Sequence, residues 1–336
     1  MLEIKTLQKY DKSGIYKIYD DWPSIAHNSF NLEYEQIETK GISHIVFSGM
    51  GGSGNIGDVF SSILSKTNIH VSVVKGYLLP NTVNVDTLII NTSISGNTDE
   101  ALNVLKLSKE KKCKILALSS GGKMEDFCKK KQIDFRKIPF RHSPRASFTE
   151  FLYALLKILS SFSFIKKTEI NESLMKMKKI RRLIYSGNLS NENPSISLAE
   201  WMKGIPLVYY PNGLNAAAIR FKNSLQENSK MHTIIEDVVE SGHNGIVSWD
   251  KTSNVQPILL QGKDDFIKTK ERWKIFKSYF EEKNIEYKEI HSVSGNILTK
   301  LICLIYLLDY STIYRAALSK IDPSPTYAID YIKKRL

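Results

Sequence analysis

Short apolar runs alternate along this chain with segments whose apolar positions return at helical spacing, and turns of small residues sit between them. In the first half the runs fall near 43–48, 70–74, 87–92, 114–118 and 133–137, and the helical spacing near 53–66, 98–110 and 122–131. Runs of this kind read as strands buried on both faces. Their order predicts right-handed crossovers and a parallel sheet covered by helices. Residues 1–40 predict a helical lead-in, Phe148 to Phe164 an apolar helix, and the lysine-rich stretch from Lys166 to Arg182 a further helix. The second half repeats the scheme, with strands expected at 206–210, 256–261 and 286–290 and helices at 214–229, 265–281 and 296–309. Ile329, Ile332 and Leu336 give the tail amphipathic helical spacing. The expected fold is α/β, with two tandem domains, 1–165 and 166–336, each a parallel sheet flanked by helices.

The length of 336 residues suits two domains of ordinary size. The 42% hydrophobic and 24% charged content is that of a soluble globular chain, and no run approaches the roughly 20 apolar residues that span a bilayer. With the charged start Met1-Leu2-Glu3-Ile4-Lys5, this predicts a cytoplasmic protein with no membrane partner. A formal charge of +12 raises nucleic-acid binding, but the lysines are scattered over helix faces, as in Lys109-Glu110-Lys111-Lys112, without interleaved aromatics. No nucleic acid is therefore expected, and the positive field suits small phosphorylated metabolites. Cys113, Cys128 and Cys303 are too few and too far apart for a disulfide framework, and the seven histidines include no H-E-x-x-H or close pair. Neither a metal nor another cofactor is expected.

Two turns in the first third carry the candidate chemistry: Gly49-Met50-Gly51-Gly52-Ser53-Gly54 after the first strand, and Ser93-Ile94-Ser95-Gly96-Asn97-Thr98 after the third. Either alone reads equally well as ordinary turn chemistry. Together they place free N–H groups and clustered hydroxyls at helix starts, where an anion is favoured. Gly49, Gly51 and Gly54 also match the dinucleotide fingerprint, yet the strand at 70–74 runs into Lys75-Gly76 where a ribose-binding acid belongs. Sugar-phosphate binding is favoured over hydride transfer. Arg145, after the fifth strand, is expected near the same sheet edge. The second half shows no comparable hydroxyl cluster, so only the first sheet is expected to hold phosphate.

These turns, with Pro144-Arg145, Glu227-Asn228-x-Lys230, His243-Asn244, Asp322-Pro323 and Ile332-Lys333, resemble the bifunctional phosphoglucose/phosphomannose isomerases, which carry two sugar isomerase (SIS) domains in tandem. The resemblance covers nearly the whole chain. It implies that Ser53, Ser93, Ser95 and Thr98 bind the substrate phosphate and that Gly51, Gly52 and Thr326 contact the sugar. It further implies Glu227 as the base moving a proton between C1 and C2, His243 and Lys333 as ring-opening groups, and Arg145 as the stabiliser of the enediolate. A homodimer with His243 supplied across the two-fold axis is implied as well. His243 departs from the family pattern: Ser241-Gly242 and Asn244-Gly245 flank it in place of a leucine-asparagine pair and a following acid, and these glycines are expected to interrupt a helix there.

The chemistry is coherent on its own terms. Aldose-ketose interconversion opens a ring, removes a proton beside a carbonyl and returns it one carbon away. A carboxylate suits the shuttle, a histidine suits the ring oxygen, and an arginine suits the enediolate. A sugar-phosphate sensor that binds without turnover remains the rival reading. An amido-sugar-phosphate isomerase is a second, though no amidotransferase half is visible.

Overall fold

Three helices precede the first strand, and a side-chain carboxylate starts the second of them. In the computed structural model, which describes residues 2–162 and 166–336, α1 (Ile4–Tyr10) is followed by α2 (Ile15–Asp20). The Asp11 carboxylate accepts from Ile15 N at 3.0 Å and Tyr16 N at 2.8 Å, which satisfies donors that a helix start leaves open. Internal contacts divide the chain into two units, Asp21–Met175 and a second that joins Met1–Asp20 to Lys176–Leu336. The sequence had suggested a simple cut at 165; the lead-in instead splits at Asp20, with α1 and α2 packed in the second unit.

The Asp21–Met175 unit opens with α3 (Trp22–Asn31), whose Trp22 Nε1 donates to Ala146 O at 3.0 Å. Then β1 (His44–Ser48), α4 (Gly51–Leu64), β2 (His70–Val74), β3 (Thr87–Ser93), α5 (Asp99–Lys109), β4 (Lys114–Ser119), α6 (Gly122–Lys131) and β5 (Asp134–Lys137) alternate much as the apolar runs predict. The strands are all parallel, in the order β2-β1-β3-β4-β5. β1 and β3 are buried along their whole length, as central strands covered on both faces must be. The helix α7 (Phe148–Ile158) follows. Its expected end at Phe164, and the expected boundary at Ile165, fall on residues 163–165, outside the described residues. The unit boundary lies inside α8 (Lys167–Ile184).

The second unit continues with α9 (Pro194–Trp201), β6 (Ile205–Tyr210), α10 (Asn215–Ser224), a π-helical turn (Leu225–Ser229), β7 (Ile234–Asp237) and α11 (Val238–Ser241). A 3₁₀ turn (Gly245–Asp250), β8 (Val255–Gln261), α12 (Ile267–Glu282), β9 (Lys288–His291), α13 (Ile297–Leu318) and α14 (Tyr327–Lys333) complete it. Its sheet is again parallel, in the order β7-β6-β8-β9. The strand β7 was not expected: its four residues, Ile234-Ile235-Glu236-Asp237, hold only two apolar positions and give no run to detect. The expectation that nothing in the chain is apolar enough to span a bilayer needs amendment, since α13 has the length and composition. However, 89% of its apolar window is buried inside the protein, as in the core helix of a globular fold.

Candidate functional site

In the first sheet the chain leaves β1 toward one side and β3 toward the other, so the switch point lies between these two strands. Ligands of such sheets bind outside the carboxyl ends of the strands at that point. Both candidate turns are found there. Gly51 begins α4, two residues before the expected start, and adopts φ +51°. A Cβ on Gly54 would stand 2.6 Å from Gly49 O, so this turn closes tightly only with glycine there.

One hydrogen bond joins the turns: Ser53 Oγ accepts from Ile94 N at 3.2 Å. In the second turn Ser93 Oγ donates to Thr98 Oγ1 at 3.0 Å, and Ser95 Oγ accepts from Asn97 N at 3.3 Å. Gly96 takes φ +71°, and a Cβ there would lie only 1.7 Å from Gly121 O, so the turn is pressed against the loop after β4. Ser53 and Ser93 are buried and Ser95 and Thr98 half-buried, and all four hydroxyls take part in hydrogen bonds within or between the turns. Two of the four are thus deep in the turns and two are partly accessible.

Lys75 stands where the dinucleotide fingerprint would want an acid. Its stem packs on the first turn of α4, 3.2 Å from the Cβ position of Gly54, and its Nζ pairs with Asp58 Oδ2 at 2.6 Å. Sequence reading passed over this lysine as a contributor to the cradle's field, although its place just after β2 was the available signal.

Arg145 was expected in an exposed loop and is instead 5% exposed. The loop is folded on itself by Ser147 Oγ, which accepts from Arg141 N at 2.8 Å and donates to Ser143 O at 2.9 Å. Arg141 Nε in turn donates to the buried Glu150 at 2.8 Å. Burial pushes the Glu150 carboxyl up, and the Arg141 guanidinium partly offsets that.

In the second unit Glu227 sits half-buried in the π-helical turn after α10. π-Turns inside or ending helices are uncommon and cluster at functional positions. A buried network pins this one to α13. Asp309, fully buried, accepts from Arg220 Nε at 2.9 Å and Nη2 at 2.7 Å and from Ser224 Oγ at 2.7 Å. Asn228 Nδ2 donates to Thr312 Oγ1 at 2.8 Å, and Ser229 Oγ to Thr312 O at 2.7 Å. Burial works against the Arg220 charge, but the Asp309 carboxylate outweighs it and holds the guanidinium above its ordinary value. The turn ends on Lys230 at φ +57°; Lys230 Nζ donates to Glu227 O and, at 2.7 Å, to Pro325 O. The segment carrying Thr326 is thereby tied to the Glu227 turn.

His243 is exposed between α11, which stops at Ser241, and the 3₁₀ turn from Gly245, so the glycines interrupt helix where expected. Glu227 precedes β7 and His243 follows it. The strand β7 thus separates the two along the chain. Lys333, on α14, is also exposed. No group of three or more His, Cys, Asp or Glu side chains among the described residues could hold a metal ion.

Residues 40–162 match the SIS domain family, and residues 191–336 match the bacterial phospho-glucose isomerase C-terminal SIS domain. The chain is 30% identical to the bifunctional phosphoglucose/phosphomannose isomerase of Caldicellulosiruptor bescii, over 96% of this chain and 95% of that protein. It is 27% identical to the protein of the same description from Aquifex aeolicus, over 96% and 98%. Among solved structures, the C-terminal domain of glucosamine-fructose-6-phosphate aminotransferase from Francisella tularensis superposes with TM-score 0.68 at 16% identity, over 91% of this chain and 96% of that one, which is a likeness of fold.

Proposed function

The chain belongs to the bifunctional phosphoglucose/phosphomannose isomerase family, and from that premise we propose how its residues interconvert glucose 6-phosphate, and mannose 6-phosphate, with fructose 6-phosphate. The protein is a sugar-phosphate isomerase. The observation that carries the residue-level reading is the pair of hydroxyl turns bonded to each other at the switch point of the first sheet. Ser95 and Thr98 bind the phosphate oxygens, braced by Ser53 and Ser93, while Gly51 and Gly52 offer N–H donors at the start of α4.

His243 and Lys333 open the sugar ring by moving the proton between the ring oxygen and the anomeric hydroxyl. Glu227 then removes the proton from C2 of the aldose and returns it to C1, and the hydroxyl proton moves between the two oxygens as the enediolate collapses. Arg145 stabilises the negative charge on the enediolate oxygens. Thr326 contacts the sugar near C2, and the Lys230 bond to Pro325 fixes its segment beside the Glu227 turn.

The working form is a homodimer in which His243 comes from the partner subunit. The exposure of His243 supports this, and so do exposed apolar residues of α14, Tyr327, Tyr331 and Ile332. The reading places the enzyme in the cytoplasm, with its phosphorylated substrates. A coupled assay of the purified protein with fructose 6-phosphate and each aldose product tests it. Turnover to glucose 6-phosphate is the expected result; saturable binding without turnover would overturn it in favour of a sensor.

A further inference from the structure

The stretch between β9 and α13 reads Ser292-Val293-Ser294-Gly295-Asn296, which repeats the pattern Ser93-Ile94-Ser95-Gly96-Asn97 between β3 and α5. No second hydroxyl turn was expected, although the strand and the helix on either side of this one were. It occupies the carboxyl edge of the second sheet, where ligands of parallel sheets bind. As in the first sheet, one serine braces neighbouring loops: Ser292, buried, accepts from Lys263 N at 3.2 Å, and its own N–H donates to Gln261 O at 2.8 Å. The other serine, Ser294, is exposed. Gly295 has positive φ, as Gly96 does, and Asn296 caps α13 by accepting from Thr299 N at 3.0 Å.

A cavity of about 330 Å³ opens beside this turn, lined by Lys176, Lys179, Ile180, Lys263, Ser292, Val293 and Ser294, with no carboxylate among them. Lys176 and Lys179 project from one face of α8, and Lys176 Nζ already donates to Ser294 O. The nearby Asp264 is engaged by Lys300 at 2.9 Å. Lysines on helix faces usually serve solvation, but here three converge from two elements on a hydroxyl turn, in a volume at the small end of ligand pockets.

We propose that this cavity is a second anion site, specific for the phosphate group of a small phosphorylated metabolite and separate from the substrate cradle at Ser95 and Thr98. The dianion is held by the ammonium groups of Lys176, Lys179 and Lys263 and by the Ser294 hydroxyl. Such a site gives the product or substrate pool a place to bind without being turned over. The field of several lysines favours the doubly charged phosphate over chloride.

The test uses the full-length protein carrying Ser95→Ala/Thr98→Ala, so that its outcome does not depend on turnover. Inorganic phosphate is titrated against chloride of equal ionic strength, and the melting temperature is read. A saturable upward shift with phosphate is expected, because a ligand bound only by the folded state stabilises it by mass action. Adding Lys176→Gln/Lys179→Gln/Lys263→Gln should abolish the shift, and Ser294→Ala, which leaves the charge intact, should raise the half-saturating concentration about tenfold. An unchanged shift after the lysine substitutions, the same shift with chloride, or no shift at all would each overturn the site. If the isomerase reading failed while the shift held, the second site would stand.

Discussion

Replacing Asp309 by alanine removes the acceptor on which the Glu227 turn is hung. Asp309 is fully buried, and two nitrogens of Arg220, 2% exposed, lie 2.7 and 2.9 Å from its carboxylate. Breaking a buried pair by deleting one partner leaves a naked charge and costs about 3–5 kcal/mol. For a unit of this size that is a fall in melting temperature of about 6–20 °C. Stability alone does not show what the pair is for, so the informative variant is Arg220→Met/Asp309→Leu. It replaces both charges by apolar volume and should recover most of the loss, short of about 1 kcal/mol for the Ser224 hydroxyl left without its acceptor.

Activity should not recover with it. Ser224 immediately precedes the π-helical turn, and a displacement of the carboxylate by about 1 Å can cost about 100-fold in rate. The expected pattern is a folded double variant with near-normal KM for fructose 6-phosphate and a kcat lowered by about tenfold to 100-fold. Thermal melts and steady-state kinetics on the single and double variants supply both readings. A double variant with wild-type kcat would refute the positioning role, and a loss below about 1 kcal/mol in Asp309→Ala would refute the burial argument itself.

Ser95→Ala/Thr98→Ala should raise KM for fructose 6-phosphate about tenfold or more with kcat less affected, since each lost charge-assisted hydrogen bond is worth about 1.5–3 kcal/mol; an unchanged KM would remove these residues from the cradle. Glu227→Gln should keep substrate binding and lose both isomerisation and solvent-deuterium incorporation, and normal deuterium incorporation would place the base elsewhere. Mixing dissociated Glu227→Gln and His243→Ala proteins should restore about a quarter of wild-type activity if the site is shared, because each mixed dimer then has one intact site; heterodimers with no activity would refute the sharing. Burial raises the Glu236 carboxyl above its usual value, and its Oε2 is buried without a hydrogen-bond partner among the described residues. A raised folded-state value stabilises the protein below the unfolded value of 4.5, and that contribution is lost as pH rises through the folded one. Glu236→Gln should therefore raise the melting temperature at pH 7 relative to wild type, and the gain should shrink toward pH 4; an equal effect at both values would contradict the assignment.

The first sheet was legible because its strands are apolar runs long enough to register, and because hydroxyls and glycines in the two turns carry a chemical signature independent of distance. Ser53 and Ser93 could be named in this way, but not their bracing role, which depends on which donor folds against which oxygen. The network behind Glu227 was hidden for a similar reason. Asp309 within the otherwise apolar Ile297–Leu318 segment was a visible oddity, yet its partner Arg220 lies 89 residues away. β7 escaped because a four-residue edge strand has too few positions to show a period, whereas the turn at Ser292 lay between two expected elements and carries only two serines. Arg145 was placed by type and not by depth, since loop composition does not report burial.

The two short helices at the start of the chain give the molecule an order of assembly. Tyr306 Oη donates to Tyr19 O at 2.7 Å and Tyr310 Oη to Asp20 Oδ1 at 2.7 Å, so α2 is a structural part of the layer built on α13. During synthesis those twenty residues emerge before Asp21–Met175 and must wait for a helix that begins at Ile297, while Asp21–Met175 is complete and free to fold in the interval. The Asp21–Met175 unit is thus an insertion within the other. A gene cut after Met175 would yield one piece that holds the whole Asp21–Met175 core and another that lacks the segment closing its own, and a nascent chain arrested before Ile297 would leave α1 and α2 exposed with their partner not yet made.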